Sequence, residues 1–191
     1  MVESTGSTAS DRTVSSAENL PDASRRPHLG WKAVIYPSAR IIHPEDLQLG
    51  DHSSIDDFVF LNAGGGTVIG RYVHIACHVS VIGGGGLDVG DYAVLATGSR
   101  VLTATDSFEG AARMSTHLPD EHRCVRSARV TIGRDAFVGA NAVVMPGVHL
   151  AEGAVAGAGS VVTTDLEAWT VYTGVPARPR GARPRPPIPG P

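Results

Sequence analysis

Four histidines carry most of the chemical reach of this chain. His74 and His78 flank Ile75, while His117 and His122 lie further along in a stretch rich in Asp, Glu and Arg. Imidazole takes up and returns protons near neutral pH, and in its neutral form it binds zinc. Two chemistries are therefore open: proton abstraction by a single ring, or zinc-assisted attack by water if three rings converge. The two cysteines, Cys77 and Cys124, form no CxxC pair and imply no disulfide framework. Which chemistry is available depends on the elements that position these rings.

The positioning elements are read from a six-residue period. From Ile132 to Val162 an aliphatic or small apolar residue recurs at Ile132, Val138, Val144, Leu150, Ala156 and Val162, and a small residue follows it at Gly133, Gly139, Ala151 and Gly157. Neither a helix nor a simple strand repeats every six residues, whereas short strands separated by corners do. The same spacing links Leu49, Ile55 and Leu61, then Ile69, Ile75 and Val81, then Val89, Leu95 and Val101. Between these sets the step is eight, and each extra pair falls in a glycine run, Gly64 to Gly66 or Gly83 to Gly86. Three sides make one triangular coil, and the glycines supply a wider corner where positive φ costs little. The spacing predicts an all-β parallel β-helix of about five coils, interrupted by a long insertion over 103–131. A long insertion inside a compact repeat is a place to look for function.

Composition agrees. Aromatic residues make up 5% of the 191-residue chain, and 23 Gly and 13 Pro suit a narrow solenoid filled with Val, Ile and Ala. Net charge is −3 and no basic stripe runs through the repeats, so nucleic acid is not the expected partner. No apolar run is long enough to span a bilayer, which argues against membrane insertion and for a cytoplasmic protein. Residues 1–29 read as a disordered polar tail, 30–48 as a cap on the first coil, 49–165 as the β-helix, and 166–191 as a C-terminal segment with a Pro-rich end.

The stretch from Val130 to Arg183, with its hexads, its Ser-Val-Val-Thr segment and Gly174-Val175-Pro176-Ala177-Arg178, resembles the hexapeptide-repeat acyltransferases, and Val73-His74-Ile75-Ala76 followed by a glycine run resembles the branch that modifies sugars and polysaccharides. The resemblance extends more weakly back to Leu49. It implies a left-handed β-helix, a homotrimer with sites between subunits, and acyl-CoA, chiefly acetyl-CoA, as co-substrate. By position it makes Ala140, Ala158, Thr163, Thr164, Arg178 and Arg180 the CoA-binding candidates, with Thr164 where relatives often carry Lys. The acceptor it implies is an amino or hydroxyl group on a sugar, nucleotide-sugar or sugar-bearing natural product.

Such a transfer needs a base for the acceptor's proton. Relatives place a histidine in the loop after the third coil, and that register falls here on Asp106-Ser107. His74 is then the favoured base, Asp106 its orienting or acceptor-binding partner, and His78, where relatives carry an Asn that contacts the acceptor, the next candidate. No metal is expected. Two other readings compete: a non-catalytic hexapeptide scaffold or ligand-binding protein, and a γ-type carbonic anhydrase using His74 or His78 with His117 and His122.

Overall fold

The computed structural model describes residues 25–109 and 112–187. The tail expected over residues 1–29 and the extreme C-terminus lie largely outside the described residues. Coil 1 consists of β1 (His28–Leu29), β2 (Val34–Ile35) and β3 (Arg40–Ile42), and coil 2 of β4 (Leu47–Leu49), β5 (Ser54–Ile55) and β6 (Phe60–Asn62). Coil 3 is β7 (Thr67–Ile69), β8 (His74–Ile75) and β9 (Ser80–Ile82), and coil 4 is β10 (Leu87–Val89), β11 (Val94–Leu95) and β12 (Arg100–Leu102). After an inserted ribbon of β13 (Ala104–Asp106) and β14 (Val125–Ser127), coil 5 follows as β15 (Val130–Ile132), β16 (Phe137–Val138) and β17 (Val143–Val144). Coil 6 is β18 (His149–Leu150), β19 (Val155–Ala156) and β20 (Val161–Val162), before β21 (Thr170–Thr173) and β22 (Arg178–Ala182).

First, second and third strands of successive coils pair in parallel, building faces A, B and C of a prism. The chain thus makes six complete coils and part of a seventh, where Leu166 bridges to Leu150 and β21 pairs with β19. That corrects the expected five. Residues 28 and 29, read as the end of the tail, and 30–42 of the segment read as a cap form coil 1, whose strands pair with coil 2 in the register of every later coil. Its inward residues Ala33, Ile35, Ala39 and Ile41 are only partly buried, with a coil on one side alone among the described residues, although Leu29, Ile35 and Ile41 keep the six-residue spacing and lie one step of eight before Leu49. The partial seventh closes differently, with β22 folding back antiparallel on β21.

The hexad residues point inward as expected: all fifteen, from Leu49 to Val162, are at most 3% exposed. Each turn stacks like on like, so aliphatic ladders run the length of the prism and bury apolar surface without large rings. The corners carry the backbone strain. One residue at each AB corner, and at each BC corner after the first coil, takes a left-handed φ, and many of these are not glycine, including His52, Tyr72, Tyr92, Phe58 and His78. At the AB corner the cost is offset by stacking: His52 lies 4.8 Å from Tyr72, Tyr72 lies 5.3 Å from Tyr92, and Arg134 sits over Tyr92.

The CA corner carries the glycine runs. Gly83, Gly84 and Gly86 adopt φ of 130°, 136° and 89°, and the Thr103 hydroxyl accepts from the N–H groups of Gly84 and Gly85. The insertion leaves from this corner as the antiparallel pair β13–β14, and its tip holds a 3-10 turn over Asp120–His122. Coils 4 and 5 still pair directly on all three faces, so the ribbon interrupts nothing. Arg129, just past the ribbon, donates to the carbonyls of Gly65 and Gly66 and pairs with Asp88 at 2.8 Å, fixing the exit. No helix among the described residues is long and apolar enough to cross a membrane.

Candidate active site

Face B and the BC corner collect the chemistry. His74 stands on β8 between Ser54 and Val94 and points outward, since the next residue, Ile75, points in. Its Nε2 lies 2.9 Å from Oδ2 of Asp56, which ends the same face one coil below. With Asp56 ionised, Nε2–H donates and the ring's lone pair is placed on Nδ1, the tautomer of an oriented base. Both side chains reach solvent, His74 at 50% and Asp56 at 29% exposure. A cleft of about 300 Å³ opens beside them, lined by Tyr36, Asp56, Asp57 and Cys77.

The strand register shows how this corner changes along the axis. At the end of face B the column reads Tyr36, Asp56, Ala76, Ala96, Gly139 and Gly157. Beyond the corner residue Ser38, Phe58, His78, Gly98, Asn141 and Gly159 follow one another. The bulky groups Tyr36, Asp56, Phe58 and His78 therefore fall in coils 1 to 3, whereas coils 4 to 6 carry Ala96, Gly98, Gly139, Gly157 and Gly159 with Asn141 the one larger residue. Some of the small residues serve the fold: a Cβ on Gly139 would approach the Ala158 nitrogen to 2.5 Å. Gly159 is different, because nothing lies within 4 Å of a Cβ there. The corner thus runs from a bulky, polar floor to an open trough.

The candidates named from sequence fall into three groups. His74 and His78 share coil 3, but His78 sits at the corner and stacks on Phe58 at 5.2 Å. Ala140 and Ala158 line the trough, and Arg180 approaches it, its Nε donating to Thr173 Oγ1 at 2.7 Å. Arg178 opens the same exposed strand opposite Thr173. Gly174 and Ala177 hold that segment against β20 through bonds with Val161. Thr163 and Thr164 lie instead at the CA corner, exposed.

Asp106 also belongs to the CA corner, on β13. Its carboxylate takes a 3.1 Å bond from Arg123 across the ribbon, so within one chain the acid beside His74 is Asp56 and the partner of Asp106 is Arg123. Sequence reading missed Asp56, Tyr36 and Phe58. The signal was present, since Ile55, Ile75 and Leu95 set a coil repeat that places Asp56 one turn below Ala76, two residues from His74. His117 and His122 are on the ribbon, exposed, and among the described residues no three His, Cys, Asp or Glu side chains converge on a common point.

A family model described as hexapeptide repeat of succinyl-transferase matches residues 129–164. A dTDP-4-amino-4,6-dideoxy-D-glucose acyltransferase from Escherichia coli is 35% identical over 161 residues, covering 81% of this chain and 84% of that protein. Two solved structures of AntD, an N-acyltransferase from Bacillus cereus, are 33% identical to this chain. One, of a variant in complex with dTDP-4-amino-4,6-dideoxyglucose and coenzyme A, superposes with a TM-score of 0.80 over 84% of this chain and 86% of that one. The other, with dTDP and 3-hydroxybutyryl-CoA, gives 0.79 over 84% and 85%.

Proposed function

The chain belongs to the hexapeptide-repeat acyltransferases, and from that premise we propose that it transfers an acyl group from acyl-CoA to the amino group of a nucleotide-linked amino sugar. The similarity that supports this covers over four fifths of the chain, enough to include the coils that carry His74 and Asp56, in one relative named as a dTDP-4-amino-4,6-dideoxy-D-glucose acyltransferase and in an N-acyltransferase solved with that dTDP-linked sugar and coenzyme A. That observation favours N-transfer over O-transfer.

In this reading the pantetheine arm lies in the trough past Ala140 and Ala158, with Arg178 and Arg180 meeting the CoA phosphates. The acceptor occupies the bulky end of the corner. Its neutral amine attacks the thioester carbonyl, a C–N bond forms, and His74 Nδ1 takes the ammonium proton of the tetrahedral adduct. The C–S bond then breaks and the proton leaves with the CoA thiolate, giving amide and free thiol. The ring, held by Asp56, returns unchanged.

The remaining candidates call for a second chain. If face C lines the threefold axis of a trimer, the BC corner of one protomer lies next to the CA corner of its neighbour. That arrangement would bring Thr163, Thr164 and the ribbon with Asp106 to a neighbour's His74, giving Asp106 its acceptor-binding role across the interface. A cytoplasmic location follows from the same reading, because acyl-CoA donors are made there.

The test is a thermal-shift titration with CoA followed by turnover. CoA at about 100 times its Kd stabilises the fold by roughly 2.7 kcal/mol and raises Tm. Acetyl-CoA or 3-hydroxybutyryl-CoA with dTDP-4-amino-4,6-dideoxyglucose should then release free thiol and yield the amide by mass spectrometry. No shift at millimolar CoA would overturn the acyltransferase reading. A shift without thiol release would overturn the acceptor class.

A further inference from the structure

We propose that the exposed ring of Phe58, backed by His78, is the seat for the heteroaromatic base of the nucleotide-linked acceptor. The proposal rests on the acceptor class just given and locates one part of it. Phe58 takes a left-handed φ of 63° at the BC corner, where the same column elsewhere uses Gly98, Asn141 and Gly159. A large side chain at positive φ is strained, and glycine would remove the strain. Burial does not compensate, because Phe58 stays 62% exposed.

Its stacking is one-sided. The ring lies parallel to His78 within 8°, but on its other face the column continues with Ser38, too small to cover it. The AB corner shows the contrast: there Tyr72 is sandwiched between His52 and Tyr92, and the column satisfies itself. At Phe58 the stack ends open, with a parallel pair of rings presenting a free π face.

The cleft of about 300 Å³ opens at the same corner, lined by Tyr36, Asp56, Cys77 and Asp57, the residue before Phe58, and its lining has the chemistry to read the edge of a base. Tyr36, 46% exposed, offers a phenol that donates or accepts. The carboxylate of Asp57, whose Oδ1 already takes the N–H of Ser38, is an acceptor for a ring N–H. Stacking plus one donor and one acceptor suits a pyrimidine dione, whose ring N–H donates and whose carbonyls accept. His74 and the start of the trough lie one to two coils further along the axis, so a base seated here leaves the sugar to extend toward the reacting end.

The experiment is calorimetric titration of the full chain with dTDP and, separately, with CoA, for wild type, Phe58→Ala and Phe58→Tyr. Phe58→Ala should weaken dTDP by about 5- to 150-fold, the span that base–aromatic stacking gives on alanine substitution. CoA affinity should stay within about twofold, and Phe58→Tyr should restore dTDP. If Phe58→Ala binds dTDP as wild type does, the base sits elsewhere and the proposal fails. If Phe58→Ala changes the oligomeric mass by light scattering, another copy covers the ring and the proposal fails too. If wild type binds CoA but not dTDP, the acceptor class itself is wrong, which the wild-type titration reveals before any variant is made.

Discussion

A histidine becomes a directed base when something fixes which nitrogen carries the proton. In the proposed mechanism that partner is Asp56, 2.9 Å from His74 Nε2. His74→Ala is expected to lower kcat by about 10²- to 10⁴-fold, and a loss below about tenfold would count against His74 as base. Asp56→Asn is the more discriminating change. An amide can donate to Nε2 and so favours the opposite tautomer, with the lone pair turned away from the acceptor. Its kcat should fall while KM for acyl-CoA holds, and steady-state kinetics for both substrates separates this from a loss of binding. If Asp56→Asn leaves kcat unchanged, the dyad is structural.

At the scale of elements, the corners hold the prism in register. At the AB corner Asp91 accepts from the Arg71 backbone N–H at 2.7 Å and pairs with the Arg71 guanidinium at 2.9 Å, tying coil 4 to coil 3. Burial pushes the Asp91 carboxyl up, but the backbone bond, the Arg71 guanidinium and the charge of Arg134 outweigh it and hold the group below the usual carboxylate range. A depressed folded-state value means that the stabilisation is fully present above the unfolded carboxylate value and fades as pH falls through the folded one. Asp91→Asn should therefore lower Tm at neutral pH and lose less of its remaining Tm than wild type on acidification. Thermal melts across the acid range check this; parallel Tm profiles for the two proteins would refute it.

For the whole molecule, one chain separates groups that the proposed chemistry needs together. His74 lies on face B, Asp106 and the threonines lie at the CA corner, and the ribbon leaves Phe108 85% and Met114 53% exposed. Sedimentation equilibrium should return three times the 19.8 kDa chain mass. If His74 and Asp106 meet across an interface, the His74→Ala and Asp106→Asn proteins, each nearly inactive alone, should complement when unfolded and refolded together. Random mixing gives about a quarter of the sites both native residues. No recovery in mixtures shown to contain both chains would place the two residues outside a shared site.

Much of this was legible in the residues because a solenoid writes its geometry into a local period. Each inward position repeats every six residues and meets its own equivalent one coil away. Hydrophobic spacing alone therefore placed all fifteen ladder residues and both glycine corners. The first coil, residues 28–42, obeys the same rule, since Leu29, Ile35 and Ile41 are six apart and lie one step of eight before Leu49, but 30–48, with its two Pro-bearing turns, reads as a cap. Proximity between outward side chains was not in the spacing. Whether His74 meets Asp56 or Asp106 depends on coil stacking and side-chain direction, and only the tertiary structure decided that Asp56 lies beside the imidazole while Asp106 turns to Arg123. The period fixes where each residue sits on the prism, but contacts across its surface arise from the stacking of whole coils.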